Sequence, residues 1–159
     1  MAAPGTFTLY KANIADLREN DLASANLRMA LITSAYTVSN ATTAGDALFA
    51  AMSANEISSA TTGYTAGGYA LTGVVAANAG NTGWKLSTGN PVWTAGASNL
   101  PVWRYGVLYY LGTLWGKVNP VIGYFLGDAT PADVPVTTAG NTCTITCPAT
   151  GWFDAVPTP

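Results

Sequence analysis

The sequence contains no histidine. That removes the commonest general base near neutral pH and the commonest ligand of zinc, copper and non-haem iron. Charge is nearly as scarce, at 9% of the residues, against roughly 25% in an ordinary soluble domain. The six basic residues (Lys11, Arg18, Arg28, Lys85, Arg104 and Lys117) are scattered through a chain of net charge -2. A nucleic-acid partner needs a clustered basic footprint, so none is expected. The opening residues Met1 to Tyr10 have neither a basic n-region nor an apolar h-region, and no secretory signal is read there. No Gly-x-Ser-x-Gly elbow occurs, and Gly67-Gly68 is not followed by the Lys-Ser/Thr of a phosphate loop. A membrane-spanning helix is also excluded. From Tyr105 to Leu126 the only charge is Lys117, but Lys117, Asn119 and Pro120 fall at the middle of that stretch. Charge and a helix breaker are both costly there. Two buried strands joined by a turn at Gly116 to Pro120 are expected instead.

What is present points to a folded, β-rich chain. At 159 residues it has the size of one domain. Alanine, threonine and glycine supply 27, 22 and 17 residues, and the 17 aromatic side chains with little net charge argue against disorder. Alternation marks a strand at Asn26 to Thr33, and a second follows near Leu71 to Ala76. Gly83 to Thr88 and Pro91 to Ala95 read as a hairpin turning at Thr88-Gly89-Asn90. Trp103 to Leu111 and Val121 to Leu126 are apolar on both sides, the mark of central strands. Val136 to Thr138 is expected to pair with Thr142 to Cys147 across a turn at Ala139-Gly140-Asn141. Helix is expected in two short pieces: Asn13 to Asn20 capped by Asn13, and Asp46 to Met52 with Asp46 near its N-cap. Some eight short strands separated by turn signals make an all-β fold, a single antiparallel β-sandwich or jelly-roll-like domain over residues 14–159. Residues 1–13 read as an extended N-terminal arm, ordered only against a partner.

Three sets of residues could carry chemistry or binding. Among the eight carboxylates, Glu56 stands alone in an uncharged stretch and Asp128 follows a buried strand. A glycosidase needs two such groups at a controlled separation, whereas an isolated Glu is more often structural. Trp84, Trp93 and Trp103 recur at intervals of nine and ten residues. They could stack sugar rings on a sandwich face, but core packing is the expected role. Cys143, Ile145 and Cys147 alternate with threonines, which puts the thiols roughly 13 Å apart along a strand, too far for a disulfide. They read as small core hydrophobes, and without histidine or a third thiol no metal site is expected. No catalytic residue, cofactor or metal ligand is assigned.

The string Ala54-Asn-Glu-Ile-Ser58, followed by Thr62-Gly-Tyr-Thr-Ala-Gly-Gly-Tyr-Ala-Leu-Thr-Gly73, resembles small structural proteins of tailed bacteriophages. Further pieces follow in the same order: Leu27 to Leu31 running into Thr33 to Thr37, Val92-Trp93, Arg104 to Tyr109, Pro120 to Phe125, and Val134 to Asn141 before Trp152-Phe153. The resemblance runs from about residue 27 onward and implies a part of a phage particle. A shell protein needs no active site, and multivalency makes a modest interface effectively permanent. The expectation is a non-enzymatic capsid decoration (cement) protein on the virion exterior, made in the host bacterial cytoplasm. It would bind the major capsid protein and form a homo-oligomer, a dimer or trimer. A tail or neck component, a glycan-binding adhesion module and a hydrolase using Glu56 are the alternatives.

Overall fold

The computed structural model describes residues 5–41, 45–130 and 132–156. The first elements are β1 (Thr8–Leu9), α1 (Lys11–Ile14), α2 (Glu19–Leu22) and β2 (Leu27–Ile32). After two 3-10 turns come β3 (Tyr69–Leu71), β4 (Gly73–Ala77), β5 (Trp84–Thr88), β6 (Val92–Thr94) and β7 (Tyr105–Tyr110). The chain closes with β8 (Thr113–Leu114), β9 (Lys117–Val118), β10 (Val121–Leu126), β11 (Thr142–Thr144) and β12 (Phe153–Ala155). The fold is all-β, built from antiparallel sheets with two short helices. Among the described residues no helix is long and apolar enough to cross a membrane.

The frame is a five-stranded sheet in the order β1-β10-β7-β2-β3. Its middle strands are apolar on both faces because both faces are covered. On one side Leu27, Met29, Leu31, Leu108, Ile122 and Phe125 enter the main core. On the other, Ala30, Ile32, Val107, Tyr109 and Val121 pack beneath Tyr10, Phe49 and Met52. A β-bulge between Val121 and Gly123 resets the alternation along β10. The expected turn before β10 is the small β8–β9 hairpin, closed by Trp115 and Gly116 at positive φ.

Two smaller sheets, β12-β5-β4 and β11-β6, contribute Leu86, Trp93 and Cys143 to the main core. Aromatic rings join the layers: Trp103 meets Phe125 edge-on at 6.4 Å, and Phe125 stacks on Trp152 at 5.7 Å. Trp152 meets Phe7 at 5.8 Å, and Phe7 stacks on Phe153, which meets Trp84. Gly106 makes room for this seam, since a Cβ there would lie 2.3 Å from the Phe125 ring.

Several expected elements are arranged differently. Asn13 does not cap a helix from 13 to 20. It lies buried inside α1, where its side-chain N–H groups donate to the carbonyls of Ala47 and Val121 at 2.8 and 2.7 Å. Asp46 caps no α-helix either. Its carboxylate accepts the Ser39 N–H, and Ala47 and Leu48 run extended against the start of β10, held by the Ala47 carbonyl, the Leu48 bridge and the Phe49 N–H. Only the 3-10 turns Phe49–Ala51 and Ser53–Asn55 remain helical there.

The β5–β6 hairpin does not form. Both edges of β5 are taken by β4 and β12, Pro91 has no N–H to offer, and β6 pairs with β11. Thr137 accordingly bridges Leu100 rather than the Cys143 strand. The single expected strand from Leu71 to Ala76 splits at Thr72 into β3 and β4, which belong to different sheets. Of the expected free arm, residues 5–13 are part of the fold: Thr8 and Leu9 pair with Tyr124 and Gly123, and Tyr10 is fully buried. Residues 1–4 lie outside the described residues.

Candidate functional site

The glycine-tyrosine segment 61–71 wraps the flank of β2. Strand β3 pairs with β2 only as far as Met29, so the backbone beyond it needs other partners. Leu31 donates its N–H to the Tyr64 hydroxyl at 3.0 Å and accepts from Ile57, while Thr33 donates to Asn55. Tyr64 in turn donates to Glu56 at 2.5 Å, and Gly67 donates its N–H to the same carboxylate oxygen at 2.8 Å. The close approach depends on Gly68, at φ +81°, where a Cβ would lie 2.2 Å from the Met29 carbonyl oxygen. Burial raises the Glu56 carboxyl above its ordinary value, an effect partly opposed by the bonds from Tyr64 and the loop N–H groups. Tyr109 donates to the Gly67 carbonyl at 2.6 Å, and burial with the nearby Glu56 charge pushes its phenol up to about 12.

Beside this clasp lies Arg28, the second residue of β2, between Ala70 and Tyr109. Its Nε is buried without a hydrogen-bond partner. The ion pairs among the described residues are Arg104–Asp133 and Lys117–Asp16, so Arg28 has none there. Two clefts of about 330 and 200 Å³ open beside it, with Thr65 and Gly68 on the wall of both. Tyr69, Trp93 and Thr94 complete the larger one. Trp93 is buried and holds the exposed Tyr69 ring edge-on at 5.7 Å.

The residues singled out in the sequence do not converge on one site. Glu56 is engaged by Tyr64 and Gly67, whereas Asp128 is partly exposed and accepts the N–H and hydroxyl of Thr130 in its own turn. Trp93 and Trp103 are core residues. Trp84 is partly exposed and lines a separate apolar cleft of about 430 Å³ with Leu9, Ile14, Leu17 and Val156. Cys143 and Cys147 are free thiols, and burial pushes Cys143 up. Among the described residues no group of three or more Cys, Asp or Glu side chains is gathered for a metal. Sequence reasoning missed Arg28. The available signal was a guanidinium within the alternating Leu27, Met29 and Leu31 of a central strand.

The second notable surface is the outer edge of the three-stranded sheet. β4 reads Gly-Val-Val-Ala-Ala, without charge or proline. Its Gly73 end is covered by the α2 turn, where Gly73 donates to the Ser24 carbonyl. Beyond it Val74 is 57% exposed. No protein-family model matches the chain, and no curated protein or solved structure matches it.

Proposed function

We propose that the chain is a non-enzymatic structural protein of a tailed-phage virion: a capsid decoration protein that seats on the major capsid protein and associates with copies of itself on the capsid exterior. The observation that carries this reading is the bare edge of β4. Natural sheets protect such edges with lysine, proline, bulges or a covering segment, because unpaired N–H and C=O groups recruit another strand. Among the described residues β4 has none of these beyond Gly73. Six of the eight carboxylates support the same reading, because they are spent on the frame. Asp16 and Asp133 pair with Lys117 and Arg104, Asp21 accepts the Trp115 indole N–H, Asp46 holds Ser39, Asp128 holds Thr130, and Glu56 holds Tyr64. A surface poor in charge can lie against neighbours without the cost of desolvating ions. The motif resemblance supports a role in a phage particle.

Imaging of purified particles at a resolution that counts copies tests the proposal. Copies in the hundreds, arrayed on the shell, are the expected result. A few copies at one vertex, or a stack along the tail, would instead assign a neck or tail role. Absence from purified particles would overturn the reading altogether.

A further inference from the structure

We infer that Arg28 anchors a binding site for a carboxylate-bearing saccharide, seated in the larger cleft beside β3. The inference stands apart from the decoration role, since a shell protein can carry such a site or lack it.

The first ground is an uncompensated charge. Arg28 is partly buried, its Nε is shut away from water without an acceptor, and no carboxylate of the described residues lies in ion-pair range. A guanidinium N–H shut away from water without an acceptor is costly, and the remaining N–H groups of the fork are left to meet an anion. The nearest acid does not serve, because Glu56 is turned to Tyr64 and Gly67. Every other cation that reaches into the fold has an oxygen partner: Lys85 holds the Ala149 carbonyl, Arg104 holds Asp133, and Lys117 holds Asp16.

The second ground is the wall around the guanidinium. Tyr69 offers an exposed ring fixed by Trp93, a platform suited to the apolar face of a sugar. The hydroxyls of Thr65 and Thr94 line the cleft, are exposed, and make no side-chain hydrogen bond among the described residues, which leaves them for ring hydroxyls. A volume of about 330 Å³ admits one or two sugar rings.

The third ground selects the anion. A guanidinium meets a carboxylate through two parallel N–H···O bonds. Tyr109 stands opposite Arg28 and donates to the Gly67 carbonyl, while the Gly67 N–H donates to Glu56, so a negative charge already stands nearby. That charge disfavours a doubly charged phosphate more than a singly charged carboxylate.

Titration of the full chain with trigalacturonate tests the site, followed by tryptophan fluorescence and calorimetry. The neutral galactose trisaccharide, acetate and a glutamate-rich peptide are run in parallel. Saturable binding of trigalacturonate is expected, with no response to the neutral sugar. Arg28→Lys should weaken it by about tenfold or more, because a lysine cannot reproduce the bidentate fork. Tyr69→Ala, on an exposed ring, should weaken it several-fold with the melting temperature unchanged. No saturation by trigalacturonate at tens of millimolar would overturn the proposal, as would equal affinity in Arg28→Lys. Acetate binding as tightly as the trisaccharide would reduce the site to a simple anion pocket and overturn the saccharide assignment. Tighter binding of the peptide would reassign it to protein docking.

Discussion

The strands of the five-stranded sheet are rich in leucine and tyrosine, whereas β4 of the three-stranded sheet holds only glycine, valine and alanine, and the boundaries of the two sheets are finished differently. In the larger sheet both faces are covered, and side chains take up backbone groups beside β1 and on β2 where β3 stops short. Asn40 takes the Lys11 N–H and donates to the Leu9 carbonyl beside β1, while Tyr64 takes the Leu31 N–H beside β2. In the smaller sheet, Leu86 and Trp152 face the core, but β4 presents Val74 and a strand edge to water. Burying a backbone requires partners for every N–H and C=O, so the closed sheet is the one that holds the fold. The open one is the surface proposed above for association.

That contrast can be broken most severely at the aromatic seam. Phe125→Ala removes the ring that sits on Gly106 and meets both Trp103 and Trp152. A loss of about 3–5 kcal/mol in urea unfolding is expected, enough to unfold a marginal domain. Next comes the clasp on β2. Glu56→Ala strands the Tyr64 hydroxyl and the Gly67 N–H and should cost about 1–3 kcal/mol. Glu56→Gln keeps an acceptor oxygen and should restore most of that loss. Equal destabilisation by the two variants would show that the clasp is not held by these bonds.

The same carboxyl predicts a smaller effect of pH. Burial raises Glu56 above 4.5 in the folded chain, so on acidification the folded form takes up this proton before the unfolded form does. Glu56 therefore adds stability that is complete at pH values below 4.5 and is lost as pH rises through the raised folded value. The urea midpoint of the native chain minus that of Glu56→Gln should grow on acidification. A flat difference would count against a desolvated carboxylate.

The smallest effect on stability is expected at the open edge. Val74→Lys should change unfolding by no more than about 0.5 kcal/mol, because the side chain is already exposed. It should nonetheless abolish binding to undecorated shells, since an edge lysine deters strand addition. Undiminished binding would move the capsid interface to another surface.

The two central strands were legible because two-sided burial leaves an unbroken apolar run, as in Tyr105 to Tyr110 and Val121 to Leu126. A reversal before β10 was legible from Gly116 to Pro120, but the chain turns at Trp115 and Gly116, and Lys117 and Val118 form β9. Pairing was not legible. Local spacing suggested that β5 would turn back on β6, but Lys85 and Leu86 find their partners in Asp154 and Phe153, more than sixty residues away. The helix expected at Asp46 was overridden by backbone bonds from Val121 and Phe49, which periodicity cannot register. Glu56 stood out in the sequence by its isolation, but its duty, to hold Tyr64 against β2, depends on a loop fold. Arg28 stood in a strand read as half-buried, and its want of a partner emerged only once its surroundings were in place.

Composition and alternation, both local properties of the chain, were enough to specify an antiparallel all-β domain without histidine chemistry. They also placed Trp93, Trp103 and Cys143 toward its interior. Which strands neighbour one another, which edge stays bare and which guanidinium lacks a counter-charge were decided by tertiary structure alone. Each is a relation between residues distant along the chain, and hydrogen-bond closure and desolvation act on spatial neighbours regardless of their separation in sequence.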